Sequence, residues 1–116
     1  MSPISLPLNF AGALITILFG LWALIQPKKF SKMLSLVPYK KRGLTEIRTT
    51  YGGLMLGLSI FTAINQSKIL YHCLGYGWLG AGIIRVVSMF LIDKSYSKKN
   101  LSFALIELIV SVLLFV

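Results

Sequence analysis

The chain has 116 residues, 56% of them hydrophobic, and a formal net charge of +9, with a mean hydropathy of +0.80. A soluble domain of this length is far more polar, so the composition excludes one and predicts a single membrane domain over residues 1–116. The basic charge does not indicate nucleic-acid binding, because no soluble basic surface exists to carry it.

Four apolar segments, separated by short polar stretches, predict an all-α membrane protein with four transmembrane helices in an antiparallel bundle. A cleaved signal peptide is the competing interpretation of the first segment. It is disfavoured because no basic residue precedes the segment and no small-residue cleavage site follows it. The helices are expected at about residues 9–26, 45–64, 69–92 and 101–116.

The polar stretch after the first segment is strongly basic, with Lys28, Lys29, Lys32, Lys40, Lys41 and Arg42. Four apolar residues within it recur at i, i+3, i+4 and i+7, which predicts a short amphipathic helix in the headgroup layer. These residues are Phe30, Met33, Leu34 and Val37. The stretch is either the ordinary positive loop of a membrane protein or a site that recognises an anionic lipid or an acidic partner.

Small residues recur in the second and third apolar segments. Gly53 and Gly57 have the four-residue spacing that allows two membrane helices to approach closely. We expect such residues to pack helices together, within the bundle or between subunits; a pore is the alternative. The predicted packing residues are Gly52, Gly53, Gly57, Gly77 and Ala81.

Two charges lie deep in the last two apolar segments. Arg85 precedes Asp93 by eight residues, and Glu107 lies six residues into the last segment, so both are about 9–12 Å from the cytoplasmic ends of their helices at 1.5 Å per residue. An isolated charge there would cost about 2.5–3.5 kcal/mol on insertion scales. Since the two helices form a hairpin centred on Tyr96, we predict an Arg85–Glu107 ion pair.

Further polar residues open the second apolar segment from the same side of the membrane. Glu46 and Arg48, together with the predicted pair, could form a neutral quartet with Tyr51 as a hydrogen-bonding fifth member. The quartet has two interpretations. It either fixes which helix packs against which, or it forms a polar site for a ligand headgroup, a proton or an anion.

We find no catalytic constellation, metal-ligand cluster or phosphate loop in the sequence. The adjacent His72 and Cys73 would point about 100° apart on a helix, which does not suit a nucleophile–base pair. We therefore expect no enzymatic activity, no cofactor and no metal. Three aromatic residues of the third segment are expected in the outer interfacial belt: Tyr71, Tyr76 and Trp78.

The polar residues also carry a family resemblance. The pattern Glu46-x-Arg48-x-x-Tyr51-Gly52-Gly53-x-x-x-Gly57, followed by Arg85-x-x-Ser88 and Glu107, resembles an uncharacterised family of small bacterial membrane proteins with four helices, a domain of unknown function. The resemblance runs from the second helix to the end of the chain. It implies the four-helix architecture and brings no known activity.

A second, shorter resemblance is to the sterol-biosynthesis scaffold protein of the eukaryotic endoplasmic reticulum. Arg48-Thr49-Thr50-Tyr51-Gly52 is similar to its Arg-Thr-Phe-Gly stretch with one extra residue, and Leu70-Tyr71-His72 is similar to part of its third helix. The resemblance implies a protein that tethers enzymes in the membrane and is not itself catalytic.

We therefore expect a small scaffold or accessory interaction subunit with a buried Glu/Arg network in its cytoplasmic half. The alternative is a small transporter or binder of a lipophilic or anionic molecule. The expected partners are the lipid bilayer and other membrane proteins or further copies of the chain, and no nucleic acid. The expected location is the bacterial inner membrane.

The first testable prediction concerns topology. The first and third loops hold nine Lys and Arg residues and the second loop holds only Lys68, so the positive-inside rule places the first and third loops in the cytoplasm and both termini outside. Single cysteines placed in each loop and at the C-terminus of a Cys73→Ser chain should label accordingly with a membrane-impermeant thiol reagent. A cytoplasmic C-terminus would contradict both the orientation and the count of four spans.

Overall fold

The structure, a computed structural model, describes residues 5–116, and residues 1–4 of the predicted membrane domain lie outside that range. The described residues form five helices and no strand, which confirms the predicted all-α class. They are α1 (Ser5–Ile25), α2 (Pro27–Met33), α3 (Lys40–Ile47, Arg48–Leu54 and Met55–Asn65), α4 (Lys68–Val87 and Ser88–Ile92) and α5 (Lys98–Phe115).

Most of the predicted helix bounds hold within a few residues, and α3 differs most. It begins at Lys40, five residues before the predicted start, so the second basic cluster forms its first turn instead of a loop. The start of α5 has a local cause. The Ser97 hydroxyl accepts a hydrogen bond from the backbone amide of Asn100 at 3.0 Å. This contact satisfies a backbone donor that a helix N-terminus leaves unpaired.

The predicted amphipathic helix is present as α2, but it is shorter than its apolar stripe. Phe30 is buried, and Met33 and Leu34 pack against its cluster. The helix ends at Met33, and Ser35 has a φ of +61°, a conformation that does not continue a right-handed helix. Val37, the fourth member of the stripe, is therefore 92% exposed and does not share the buried face.

Two of the long helices contain a π-helical segment, Arg48–Leu54 in α3 and Ser88–Ile92 in α4. In α4 the amide of Asp93 donates to the carbonyl of Ser88, five residues earlier, at 2.7 Å. A π turn contains more residues than an α turn. Faces assigned from a spacing of 3.6 residues therefore do not continue through these segments, and Arg48 is exposed whereas Gly52 is buried.

The described residues divide into two compact units, one containing those up to Gly12 with Gln66–Val116, and the other Ala13–Asn65. In the second unit, Phe30 of α2 lies at the centre of a core with Ala23 and Ile47. The ring of Trp22 meets the Phe30 ring edge-on, with 5.5 Å between centroids. Aromatic and aliphatic packing therefore holds α2 against α1 and α3.

In the first unit, α4 and α5 form an antiparallel hairpin with a buried interface. The largest fully buried side chain there is Tyr71 of α4, which lies in a core with Leu74, Val110 and Leu114. Tyr71 was predicted in the outer interfacial belt; its side chain is buried in the hairpin and not on the outer surface, and its depth in a membrane stays a prediction. The face of α4 that carries Tyr71 points into the hairpin, whereas Tyr76 is 66% exposed.

A polar cluster at the end of the hairpin opposite the α4–α5 loop was not identified by the sequence analysis. Asn9 of α1 is fully buried, and its Nδ2 donates to the Leu113 carbonyl at 2.8 Å. Lys68 Nζ donates to Asn9 Oδ1 at 2.8 Å and to the Val116 carbonyl at 2.6 Å. Carbonyls in the last turn of a helix lack intrahelical partners, so these two side chains stabilise the end of α5.

Two of the described helices are long and apolar enough to cross a membrane, over Leu6–Ile25 and Lys68–Ile92. The other two long helices carry more charge. Lys98, Lys99 and Glu107 all fall within the 18 residues of α5, and α3 opens with a basic cluster. The crossing of the bilayer by α3 and α5 stays a prediction.

The predicted packing residues differ in what surrounds them within the chain. A methyl group at Gly52 would lie 3.3 Å from Leu24 Cβ, so Gly52 allows α3 to approach α1 closely. A methyl group at Gly57 or Gly77 would meet no atom within 4 Å. Gly53 has only a carbonyl of its own helix nearby, and Ala81 is exposed. Contact of these exposed positions with another chain stays a prediction.

The second testable prediction compares two glycines of α3. Gly52→Leu inserts a side chain where Leu24 already lies, so it should destabilise the protein by about 1–3 kcal/mol through overpacking. Gly57→Leu is the matched control, because the same side chain enters open space. Denaturant unfolding at high detergent-to-protein ratio, which keeps chains apart, measures both. Equal stability of the two variants would contradict the close contact between α1 and α3.

Candidate functional site

The predicted Arg85–Glu107 ion pair is present and joins the two helices of the hairpin. Arg85 Nε lies 2.5 Å from Glu107 Oε1, and Nη2 lies 3.2 Å from Oε2. The two residues are equally far in sequence from Tyr96, so an antiparallel hairpin brings them to the same level. The bidentate geometry fixes the orientation of the guanidinium plane as well as the distance between the charges.

The pair lies at the edge of the protein interior. The Glu107 side chain is 8% exposed and that of Arg85 is 26% exposed. The guanidinium also lies over the Phe103 ring, with Arg85 Cζ 5.1 Å from the ring centroid, which is a cation–π contact. The Arg85 guanidinium is therefore held by a carboxylate at one edge and by an aromatic ring against one face, while part of the side chain stays accessible to solvent or a ligand.

A third contact connects Arg85 to the first turn of α5 and, through Asn100, to the α4–α5 loop (residues 93–97). Arg85 Nη1 donates to Asn100 Oδ1 at 3.2 Å. Asn100 Nδ2 in turn donates to the carbonyl and to the hydroxyl oxygen of Ser95, at 2.9 and 3.2 Å. The sequence analysis missed both residues, because Asn and Ser are ordinary loop residues. The signal available in the sequence was that Asn100 lies three residues after Ser97, the residue that caps the start of α5.

An open cleft of about 570 Å³ lies beside the ion pair. Its lining changes character along α4. The end near the loop is polar and contains charged, amide and hydroxyl groups, whereas the end further along α4 has only small or aliphatic side chains. The cleft is lined by Gly80, Ala81, Ile84, Arg85, Ser88, Asp93, Ser95, Asn100 and Glu107.

Arg85 can still donate hydrogen bonds into this cleft. A guanidinium has five N–H groups, and three of them are directed at Glu107 and Asn100. One N–H on each Nη therefore stays available to a ligand. The Ser95 hydroxyl accepts from Asn100, which leaves its own hydrogen to donate. The arrangement can hold an anionic oxygen, and the exposed carboxylate of Asp93 can hold a cation.

The other predicted members of the quartet belong to the second unit. Arg48 Nε donates to the Leu24 carbonyl at 3.2 Å, one residue before α1 ends, where a cation is favoured by the helix dipole. The Tyr51 ring lies 5.4 Å from that of Phe30, and Glu46 is exposed. The two halves of the quartet lie in different units, so the complete quartet stays a prediction.

Over residues 5–116, no group of three or more His, Cys, Asp or Glu side chains is arranged to hold a metal ion. Cys73 is exposed. His72 Nε2 is buried without a hydrogen-bond partner, and its ring lies 5.7 Å from that of Phe115. The His72 ring therefore packs on an aromatic side chain of α5.

Comparison with known proteins gives one match. A family model described as a domain of unknown function, DUF4345, matches residues 8–116. Neither the curated proteins nor the solved structures give a match. The match agrees with the predicted membership of an uncharacterised family, and the resemblance to the sterol-biosynthesis scaffold stays a prediction.

The third testable prediction concerns the ion pair. Glu107→Gln leaves the Arg85 guanidinium without its counter-charge and should destabilise the protein by up to about 3–5 kcal/mol; the access of water to Arg85 places the effect toward the lower value. Asp93→Asn is the matched control, because it removes the same charge from an exposed residue at the same cleft. Denaturant unfolding in detergent measures both variants.

The double variant Arg85→Glu with Glu107→Arg tests the pairing itself. It should recover part of the lost stability, since the attraction between the two positions is restored while the contacts with Asn100 and Phe103 are not. A double variant no more stable than either single change would show that the two charges do not act as a pair.

Proposed function

We propose that the chain, which belongs to the DUF4345 family, is an integral membrane protein with four crossing helices that acts as a small scaffold or accessory interaction subunit. The observation that carries the proposal is the surface of α4. Within the apolar span Lys68–Ile92, only 11% of an 18-residue stretch is buried. Soluble monomers rarely expose continuous apolar surface on this scale, so lipid or partner helices are needed to cover it.

The exposed surface of the other helices supports the same proposal. After its charged first turns, α3 continues with Leu54, Leu58, Phe61 and Ile64, all more than half exposed. In α5, Lys98 and Lys99 stand at the helix start, where long basic side chains can reach the headgroup layer. Its remaining charge, Glu107, is paired with Arg85. The charges are therefore compatible with four spans and with basic loops in the cytoplasm of a bacterial cell.

Small residues on the exposed surface support an interaction role. Gly57 has open space where a side chain would stand, and Gly53, four residues before it, is exposed. Glycines at four-residue spacing let a partner backbone come close, and van der Waals contact is the main driving force for helix association in lipid. Further copies of this chain are the simplest partner to supply such a helix.

A binder or transporter of a lipophilic or anionic small molecule is the second candidate. The cleft beside Arg85 favours it, because the cleft combines free guanidinium donors with an apolar wall. The two candidates are compatible, since the cleft lies in the first unit whereas Gly53 and Gly57 lie in the second.

The fourth testable prediction concerns association through the Gly53 and Gly57 face. Chains labelled with donor and acceptor dyes and reconstituted in vesicles should show energy transfer that falls as the lipid-to-protein ratio rises. Gly57→Leu blocks close backbone approach and should weaken association about fivefold or more, since one lost packing contact of about 1 kcal/mol has that effect.

Leu58→Phe is the matched control, because it adds bulk to the adjacent exposed residue, about 100° away on the helix. It should leave association nearly unchanged. Absence of energy transfer above that of random mixing, or equal effects of the two variants, would contradict self-association through this face and leave the binding role as the stronger candidate.

A further inference from the structure

We propose that the cleft beside Arg85 binds the headgroup of a zwitterionic phospholipid that has a primary ammonium group. The phosphate would lie against the free N–H groups of Arg85 and the Ser95 hydroxyl, and the ammonium against Asp93. The inference rests on the membrane placement proposed above, and it names the ligand class for the second candidate function.

The phosphate end follows from the donors that the ion pair leaves unused. Glu107 and Asn100 take three of the five N–H groups of Arg85 and hold the guanidinium plane in place. The remaining N–H groups are preorganised, and Arg–phosphate hydrogen bonds are among the stronger ones in proteins. Ser88 and Ser95 add two hydroxyl groups to the lining. A tetrahedral oxyanion with several acceptor oxygens suits this set of donors.

The ammonium end follows from the charge of the cleft. The charges of Arg85 and Glu107 cancel, so Asp93 leaves the lining with one net negative charge. This carboxylate disfavours a simple anion and favours a ligand that carries a cation a few bonds from its phosphate. A primary ammonium donates hydrogen bonds to a carboxylate, whereas a quaternary ammonium has no N–H to donate. The cleft therefore favours ethanolamine-type over choline-type and glycerol-type headgroups.

The apolar end of the cleft provides a place for an acyl chain. Gly80, Ala81 and Ile84 continue the lining along α4, and Gly77 lies one turn further on. Side chains at Gly77 and Gly80 would meet no atom within 4 Å, so the surface there is open, and Ile84 is 64% exposed beside it. A free headgroup analogue would leave this apolar surface uncovered, which argues for the lipid as the ligand source.

The polar end lies near the height of lipid headgroups in the proposed topology. The α4–α5 loop carries Lys94 and leads into Lys98 and Lys99, the residues that mark the cytoplasmic interface. Arg85 starts deeper, but its Nη1 reaches Asn100 in the first turn of α5. Its charged end is therefore displaced toward the loop, as long basic side chains in membranes are.

The fifth testable prediction is a lipid preference. Detergent-solubilised protein is titrated calorimetrically with short-chain phosphatidylethanolamine, phosphatidylcholine and phosphatidylglycerol, each below its micelle concentration, and with free phosphoethanolamine. The ethanolamine lipid should bind saturably and about three- to fivefold more tightly than the other two, as expected for one partly exposed ion pair. Free phosphoethanolamine should bind much more weakly, because it lacks the acyl chain.

Two matched variants test the role of Asp93. Asp93→Asn should abolish the preference for the ethanolamine lipid over the glycerol lipid, while Ser95→Ala should weaken binding of all three lipids. Glu46→Gln removes the same charge from an exposed residue of the other unit and should preserve the preference. Equal effects of Asp93→Asn and Glu46→Gln, or no saturable binding of any lipid, would overturn the inference. Tight binding of free phosphoethanolamine would replace the lipid with a soluble zwitterion.

The labelling experiment separates this inference from the proposal on which it rests. If the thiol reagent labels all three loops from the same side, the membrane placement with four spans is itself wrong. If the topology is as expected and no lipid preference is found, the scaffold and membrane proposals stand and only the assignment of the cleft fails.

Discussion

The Arg85–Glu107 ion pair is the constraint on which the α4–α5 hairpin depends. A charged side chain in an apolar helix is costly unless it is paired, and each of these residues is the other's partner. A shift of one helix by a single turn would separate them by about 5 Å along the axis. The pair therefore disfavours other registers of the hairpin, and it determines where the loop, Asn100 and the cleft lie.

The pair could be predicted because charges inside apolar segments are rare and a hairpin leaves few ways to match them. The rest of the site could not. Asn100 and Ser95 are ordinary loop residues in the sequence, and only their contacts with Arg85 and with each other give them a role. Asn9 stands out in the sequence as a polar residue at the start of an apolar run. Its partner, the Leu113 carbonyl, is 104 residues away in the chain, so the contact could not be predicted from local sequence.

The surface on which each small residue of α3 lies could not be predicted, for a different physical reason. The segments Arg48–Leu54 and Ser88–Ile92 are π-helical, and neither composition nor periodicity distinguishes a π turn from an α turn. The sequence therefore identified small residues as candidates for close contact but could not assign each to a surface. Gly52 lies against Leu24, whereas a methyl group at Gly57 would meet no other part of the described residues within 4 Å. Tyr71 lies in the α-helical part of α4, so a π turn is not the reason there: the outer belt was assigned from its residue type alone, and its side chain is buried in the hairpin.

The geometry of Arg85 reconciles the two interpretations of the buried charges. Glu107 binds the Nε and Nη2 groups along one edge of the guanidinium, and these contacts alone explain how the hairpin is held. Asn100 fixes the plane from the loop side, so the two N–H groups that remain are oriented without using ligand binding free energy. The structural ion pair and the proposed anion site thus use different edges of the same side chain, and a ligand at the outer edge need not disturb the fold.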